Sequence, residues 1–262
     1  MHNACTMVQV SGVPVTCGTF DQVLDAVERS LGAGERRRYI SITNTESMYH
    51  ALRIAEHGRF IREADFSLCD GIGSVIAGYA WGHRVPRLNG PIFMLKAIDR
   101  GQSLGWRHFF YGGDVGVADT MVQKLQAEFP KLISVGTYCP PFRALTPEED
   151  EAVVRQIREA RPDFIWVGLG LLKQEGWIAA HLDQVDAPWM VGVGAAFDYH
   201  SGAVPWAPAW IQAIGMEWLF RTIIQPRRRI PRYYWSFIFM FQSIWDGLKH
   251  RCSSTTQGKH HD

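Results

Sequence analysis

Short strand-like segments alternate with helix-like segments along most of this chain, and this alternation limits its fold more than any other feature. The strand-like segments are apolar and lie at residues 39–42, 66–69, 107–111, 132–137, 164–167 and 189–193. The helix-like segments between them are about 10–15 residues long, as in parallel sheets built from strand-helix-strand units. One helix start is marked by the capping box Thr146-Pro147-Glu148-Glu149, whose Thr and Glu side chains satisfy backbone N–H groups. The pattern predicts an α/β fold with a mainly parallel, Rossmann-like sheet and helices on both faces.

The composition changes near residue 203, and we expect a domain boundary there. Residues 221–262 contain eight Lys and Arg but only two Asp, a net charge of +6. Because the whole chain has a formal charge of +1, residues 1–220 carry −5. An acidic body with a basic tail disfavours a general nucleic-acid binder and favours one localised contact with anions. We therefore predict an α/β domain that carries the chemistry at 1–203, a helical appendage at 204–262, and no nucleic-acid partner.

The appendage is both basic and aromatic. Its arginines, followed by Tyr, Trp and Phe residues at 233–245, are Arg221, Arg227, Arg228, Arg229 and Arg232. Arginine attracts anionic head groups and Trp and Tyr favour the membrane interface, so we predict contact with a membrane surface. A basic helix packed on the body or on a second copy is the alternative.

The remaining sequence features bear on location. The longest apolar stretch has 13 residues, fewer than the roughly 20 needed to span a bilayer. Five scattered cysteines form no C-x-x-C pair, and no signal-peptide pattern is visible. These features predict a cytoplasmic protein that lies peripherally on the inner face of the cell membrane.

Common cofactor and metal motifs are absent from the sequence. Gly-x-Gly turns occur at 71–73, 168–170 and 192–194, but none completes the G-x-G-x-x-G of dinucleotide-binding proteins. The sequence also lacks a P-loop, an H-E-x-x-H motif and any Asp-x-Asp pair, and paired carboxylates are what hard cations prefer. We therefore expect no cofactor and no metal, and we expect arginines and helix N-termini to neutralise any bound diphosphate.

A single carboxylate, Asp70, follows the strand-like segment 66–69 and precedes two glycines and a helix-like segment. Ligands of parallel α/β sheets bind beyond the carboxyl ends of the strands, and an Asp there can accept a proton from a hydroxyl nucleophile. Capping of the following helix is the alternative, and the residue pattern alone favours it.

Other polar or glycine-rich clusters follow strands or precede helices. Their candidate binding residues are Thr43, Asn44 and Glu46; Arg87 and Asn89; Gly112 and Gly113; Gly170 and Gln174; and Asp198. Each cluster alone has an ordinary explanation as a helix cap, a solvated arginine or a tight turn. Because five clusters fall at the carboxyl ends of strands, we predict that they line one crevice.

Seven segments, in order and with matching gaps, make this chain resemble the WecG/TagA/CpsF family of bacterial glycosyltransferases. The resemblance covers residues 8–235 and rests on Asn44-x-Glu46, Asp70-Gly-Ile-Gly73, Arg87-x-x-Gly90, Phe109-Phe110-Tyr111-Gly112-Gly113, Gly168-x-Gly170…Lys173-Gln174-Glu175-x-Trp177, Gly192-Val-Gly194-Ala-x-Phe197-Asp198 and Glu217-Trp218-Leu-x-Arg221…Pro226-x-Arg228. The chain departs from the family pattern at Ile42, where a Thr is frequent, and at Trp206, where an Arg is common.

The resemblance implies a metal-independent, inverting transfer of a sugar from a UDP-sugar to a polyprenyl-diphosphate-linked acceptor at the inner membrane face. It implies that Asp70 is the general base and that Asn44 with its neighbours, Arg87 and Gln174 line the donor site. The arginines of the appendage then serve the membrane and the diphosphate.

The identity of the sugar depends on a finer resemblance. Residues 44–48, 67–74 and 89–93 look most like the β-1,4-glucosyltransferase of xanthan- and acetan-type exopolysaccharide pathways, which implies UDP-glucose as the donor. A UDP-N-acetylmannosamine or UDP-N-acetylmannosaminuronic acid transferase of teichoic-acid or common-antigen type is the alternative. A non-catalytic, membrane-peripheral module that binds a nucleotide-sugar is an alternative of another class, and assembly as a homo-oligomer stays open.

Overall fold

The computed structural model describes residues 5–257, and strands and helices alternate there as the sequence pattern predicts. The strands in this part of the chain are β1 (Thr6–Val10), β2 (Val13–Cys17), β3 (Arg38–Thr43), β4 (Phe66–Cys69), β5 (Arg107–Gly112), β6 (Ile133–Tyr138), β7 (Phe164–Gly168) and β8 (Trp189–Gly192). The helices are α1 (Phe20–Gly32), α2 (Thr45–Ala51), α3 (Ala55–Glu63), α4 (Ile72–Ala80), α5 (Gly90–Leu104), α6 (Val117–Glu128), α7 (Pro147–Ala160), α8 (Lys173–Val185), α9 (Ala196–Ser201), α10 (Ala209–Ala213), α11 (Glu217–Ile224) and α12 (Pro226–Gln257).

Six of the strands form one sheet in the order β4-β3-β8-β7-β5-β6. The pairs β3 with β8, β8 with β7, β7 with β5 and β5 with β6 are parallel. Parallel neighbours need a crossover connection, which the helices supply. The predicted α/β fold with a parallel sheet flanked by helices is confirmed, and so is a helical C-terminal segment.

Strands β1 and β2 form a separate antiparallel hairpin that the alternation of segments does not predict. Val10 pairs with Val13, so the turn consists of Ser11 and Gly12, whose φ angles are 53° and 76°. A two-residue turn with positive φ at both positions matches the right-handed twist of the flanking strands.

The chain divides into two compact units. Unit 2 consists of Phe20–Ile42 and Gly90–Trp206, and unit 1 consists of Thr43–Asn89 with the described parts of Met1–Thr19 and Ala207–Asp262. The predicted separation of a 1–203 domain from a 204–262 appendage stays a prediction.

The core of unit 2 is built from large aromatic side chains on its parallel strands. Phe110, Trp166 and Trp189 are fully buried. The indole N–H of Trp166 donates to His108 Nδ1 at 3.1 Å, and that of Trp189 donates to Ser30 Oγ at 2.8 Å. These bonds matter because a buried donor without an acceptor would destabilise the core.

In unit 1, helix α12 packs on α2 and α4. Ser243 of α12 is buried and accepts a hydrogen bond from Ser11 Oγ at 2.7 Å, and its carbonyl accepts one from Trp81 Nε1 at 3.1 Å. The C-terminal half of α12 is therefore held by specific contacts. Among the described residues, no helix is long and apolar enough to cross a bilayer.

Candidate active site

Asp70 lies between the end of β4 and the start of α4. Its backbone N–H donates to the carbonyl of Thr43 at 2.9 Å, which fixes the chain at this point. Gly71, with φ +86°, is the N-cap residue of α4, and no side chain caps this helix. The carboxylate of Asp70 accepts a hydrogen bond from the Gly71 N–H instead. The structure therefore does not show the capping role that was the alternative for Asp70.

Two arginines and a second carboxylate act electrostatically on Asp70, namely Arg87, Arg221 and Glu217. Together with Asp70 we call them the Asp70 cluster. Glu217 and Arg221 lie four residues apart on α11, so they share one face of that helix. Arg87 Nη1 lies 3.4 Å from Glu217 Oε2. The cluster thus holds two positive and two negative groups within unit 1.

A glycine turn positions α11 beside the start of α4. Gly215 has φ +74°, and a Cβ added there would lie 3.0 Å from the Cβ of Ile72. Any larger residue at 215 would have to push the two segments apart, because the contact is already tighter than normal packing. This close approach brings the segment that leads into α11 against Ile72, the first residue of α4 and two residues after Asp70.

The Asp70 carboxyl is less acidic than an ordinary aspartate. Its pKa is raised from 3.8 to about 6, first by burial and second by the negative charge of Glu217. Arg221, Arg87 and the Gly71 N–H act in the opposite direction and lower the pKa. A carboxylate with a pKa near 6 is ionised at neutral pH and still basic enough to take a proton from a hydroxyl group.

The predicted residues after β3 are largely engaged within the protein. Thr43 is fully buried, and its hydroxyl bonds to Ser67 Oγ at 2.8 Å. Asn44 caps α2, since its Oδ1 accepts the Ser47 N–H at 2.9 Å. Glu46, in the first turn of α2, is half-buried. Asn44 therefore caps the helix, as the alternative interpretation expected. A role of these residues in donor binding stays a prediction.

Next to Arg87, the candidate Asn89 is 4% exposed. The backbone N–H of Leu88 donates to the Cys69 carbonyl at 2.7 Å. This bond attaches the 87–89 segment to the end of β4, and that attachment holds Arg87 near Asp70.

In unit 2, the glycine clusters form tight turns at the ends of β5 and β7. Gly112 has φ +122°, and a Cβ there would lie 2.6 Å from the carbonyl oxygen of Gly168. The Gly113 N–H donates to the same oxygen at 3.0 Å. The backbone contact at Gly112 excludes a side chain for reasons of packing, whereas at Gly170 (φ +84°) nothing lies within 4 Å of a Cβ.

Gln174, predicted to bind the donor, is 4% exposed and supports a neighbouring turn. Its Oε1 accepts the Gly194 N–H at 3.0 Å, and its Nε2 donates to Glu175 Oε1 at 3.1 Å. A Cβ at Gly192 would lie 2.8 Å from Gln174 Nε2, so the amide packs directly against the backbone after β8. Asp198, in the first turn of α9, is half-buried. Both residues thus lie in the first turns of the helices that follow β7 and β8, and their ligand contacts stay predictions.

The arginines of the appendage have different surroundings. Arg221 belongs to the Asp70 cluster, Arg227 is exposed and Arg229 is half-buried. The side chains of Arg228 and Arg232 lie outside the described residues. The predicted membrane and diphosphate roles of these arginines are not tested by the structure.

Sequence reasoning assigned no role to Glu217, although it quoted this residue within a family segment. A signal was available, because Glu217 and Arg221 are the charged residues of an otherwise largely apolar helix and are spaced by one turn. The sequence did not show that the charges on this face of α11 act on Asp70. Within residues 5–257, no group of three or more His, Cys, Asp or Glu is placed to hold a metal ion, and metal-independent chemistry stays a prediction.

Comparison with known proteins adds to this geometry. The profile of the Glycosyl transferase WecG/TagA/CpsF family matches residues 8–253. The chain is similar to the N-acetylglucosaminyldiphosphoundecaprenol N-acetyl-beta-D-mannosaminyltransferase of Bacillus subtilis (strain 168), with 26% identity over 230 residues, which cover 86% of this chain and 88% of that protein. It is also 26% identical to the protein of the same name from Staphylococcus aureus (strain NCTC 8325 / PS 47) over 240 residues, which cover 90% and 91% of the two chains.

Proposed function

The chain belongs to the glycosyl transferase WecG/TagA/CpsF family, and on that premise we propose that it transfers N-acetylmannosamine from its UDP derivative to an N-acetylglucosaminyl-diphosphate-polyprenol. The names of both relatives support this sugar and this acceptor. They favour the mannosamine alternative over the UDP-glucose and exopolysaccharide assignment, which these relatives do not support. A family of transferases also favours an enzyme over the non-catalytic binding module.

One observation carries the chemical part of the proposal, namely a carboxylate at the carboxyl end of β4 whose pKa is raised and on which two arginines act as attractive charges. In the proposed reaction, a hydroxyl oxygen of the acceptor attacks the anomeric carbon of the donor sugar. The bond from that carbon to the UDP oxygen breaks as the new glycosidic bond forms. The hydroxyl proton passes to the Asp70 carboxylate, which acts as the general base, and attack from the side opposite UDP inverts the anomeric centre.

The departing UDP carries the negative charge that develops as its bond to the sugar breaks. Arginine is suited to this charge because its planar guanidinium forms paired hydrogen bonds with phosphate oxygens. Arg87 and Arg221 lie in the Asp70 cluster and are the groups we assign to the diphosphate. Charge stabilisation by groups already in place lowers the barrier without a metal ion.

The proposal is tested with the purified full chain, lipid and EDTA, by measuring UDP release. The acceptors are N-acetylglucosaminyl- and glucosyl-diphosphate-polyprenol, each with UDP-N-acetylmannosamine, its uronic acid and UDP-glucose. We expect turnover with the N-acetylglucosaminyl acceptor and the mannosamine donor, and loss of turnover with retained UDP binding in Asp70→Asn. Turnover with UDP-glucose alone would overturn the proposed sugar. Recovery only on adding Mg²⁺ would overturn the metal-independent mechanism, and no turnover with any pair would overturn the transfer itself.

The polyprenyl acceptor resides in a membrane, and we propose that the C-terminal helices bring the enzyme to the inner membrane face. Large apolar side chains on α10–α12 are exposed, including Trp210, Ile223, Phe241 and Trp245 at 62–72%. Exposed apolar area next to arginines is what an interfacial helix offers to lipid. The test is the binding of the full chain to anionic vesicles, which replacement of Phe241 and Trp245 by glutamine should weaken.

A further inference from the structure

The guanidinium that the proposed mechanism assigns to the diphosphate already faces a carboxylate. Arg87 Nη1 and Glu217 Oε2 lie 3.4 Å apart, and the two side chains are 22% and 20% exposed. A carboxylate and a phosphate each offer a pair of oxygen acceptors to the planar guanidinium of arginine. Glu217 therefore competes with an incoming phosphate for Arg87.

Glu217 is held in this position by the packing of unit 1. It begins α11, directly after the Gly215 turn that lies against Ile72. An ion pair between mobile surface side chains contributes little, because water screens it and the side chains lose entropy. The Arg87–Glu217 pair is mostly removed from water and one partner is fixed by the backbone, so breaking it has a measurable free-energy cost.

The position of the pair also matters for Asp70. Both arginines of the cluster act on Asp70 as attractive charges, and Glu217 acts as a repulsive one. The contact with Glu217 offsets part of the positive charge of Arg87 and so weakens the attraction between this guanidinium and the Asp70 carboxylate. A direct pair would make Asp70 a weaker base.

We propose that Glu217 is a positioning residue of the donor site, which holds Arg87 while the site is empty and yields it to the diphosphate of the nucleotide-sugar. The proposal rests on the proposed function, because it takes a nucleoside diphosphate as the ligand of Arg87. Glu217 then sets the donor affinity, since part of the binding free energy is used to separate Arg87 from Glu217.

The test is the affinity of the full chain for UDP, measured by titration calorimetry. We expect Glu217→Gln to bind UDP roughly fivefold more tightly than the wild type, because the competing charge is gone. UMP, which has a single phosphate, should gain less. Glu28→Gln is the matched control, because Glu28 Oε2 pairs with Arg100 Nη1 at 3.5 Å in unit 2, and it should leave the affinity unchanged.

A thermodynamic cycle separates this role from a general effect of charge. In an Arg87→Ala background, Glu217→Gln should no longer increase UDP affinity, since the competition acts through Arg87. A gain that persists without Arg87 overturns the proposal, and so does unchanged or weaker binding in the single variant with a wild-type melting temperature.

Two further measurements cover the cases in which the variant does not fold or the enzyme does not turn over. If Glu217→Gln does not fold, Glu217→Asp takes its place, because the shorter carboxylate retreats from Arg87, and an unchanged affinity then overturns the proposal. UDP binding is measured without turnover. Turnover failing with every donor while Glu217→Gln still tightens UDP binding would therefore overturn the transfer function and leave the role of Glu217 supported.

Discussion

Gly247 of α12 lies so close to α4 that a Cβ on it would stand 2.8 Å from the carbonyl carbon of Ala80. This carbon belongs to the backbone, which cannot rotate away as a side chain can. Helix α12, the last helix of the described chain, can therefore pack this closely on α4 because position 247 has no side chain.

Gly247→Ala should lower the free energy of unfolding by roughly 1–3 kcal/mol, because the added methyl group forces the two helices apart. Gly176→Ala is the matched control, since Gly176 lies within α8 and a Cβ there meets nothing within 4 Å. That substitution should stabilise the protein by about 0.5–1 kcal/mol through helix propensity. Chemical denaturation measures the free energy of unfolding of both variants. Equal values would contradict the close packing of α12 on α4.

Asp70→Asn should raise stability at neutral pH while it removes activity. The folded state raises the pKa of Asp70 from 3.8 to about 6, so folding favours the protonated carboxyl. Ionisation therefore costs stability as the pH rises from 4 to above 6, up to about 3 kcal/mol. Asparagine removes this cost, and the variant should gain stability at pH 7.5 but not at pH 4.

Asp186→Asn provides the control of opposite sign. Hydrogen bonding by Arg37 lowers the pKa of Asp186, so its ionised form stabilises the fold and the substitution should give no gain at pH 7.5. Urea denaturation of the wild type and of both variants at pH 4 and pH 7.5 measures these changes in stability. A loss of stability in Asp70→Asn at pH 7.5 would show that its charge supports the fold.

The rate of transfer should rise with pH through about 6, because only the ionised Asp70 can take the proton from the hydroxyl group of the acceptor sugar. The groups that act on this carboxyl are Glu217 and Arg221 from α11, Arg87 and the Gly71 N–H. In Glu217→Gln the repulsive charge is lost, so the rising limb should move to lower pH. The measurement is kcat/KM against pH, and a limb that does not move would contradict the coupling of Glu217 to Asp70.

Replacing the exposed aromatic residues of α12 should weaken binding to lipid vesicles. Phe241 and Trp245 are 67% and 62% exposed, and transfer of one such ring into the interface contributes roughly 1–2 kcal/mol, about tenfold in affinity. Glutamine at both positions keeps the helix propensity. Phe142→Gln is the control, because Phe142 is 94% exposed but lies in a loop of unit 2. Sedimentation with anionic vesicles measures the binding, and equal loss in the control would contradict a contact specific to α12.

The fold class could be predicted from the sequence because its causes are local. Apolar strand-like segments and the capping box at Thr146 depend only on neighbouring residues. In the structure, strands β3–β8 lie close to their predicted bounds, and the capping box is formed. The β1–β2 hairpin was not predicted, because its two short strands stand outside the repeating pattern. Its turn at Ser11-Gly12 needs positive φ at both positions.

The candidate site was predictable in part for the same reason. The position of Asp70 after a strand is a local fact of the chain. The engagement of Gln174 with Gly194, 20 residues away, is not, nor is the burial of Thr43 against Ser67. These contacts engage two candidate ligand-binding side chains within the protein, and no spacing in the sequence signals them.

The sequence by itself determined the α/β architecture, the place of Asp70 at a strand end and the basic, aromatic character of the tail. The tertiary structure decided the chemical state of Asp70. Its pKa depends on burial and on the charges of Glu217 and Arg221, which are about 150 residues away in the chain. Local pattern fixes which residue follows a strand, whereas electrostatic interaction depends on distance in space, which the close approach of Gly215 to Ile72 helps to set.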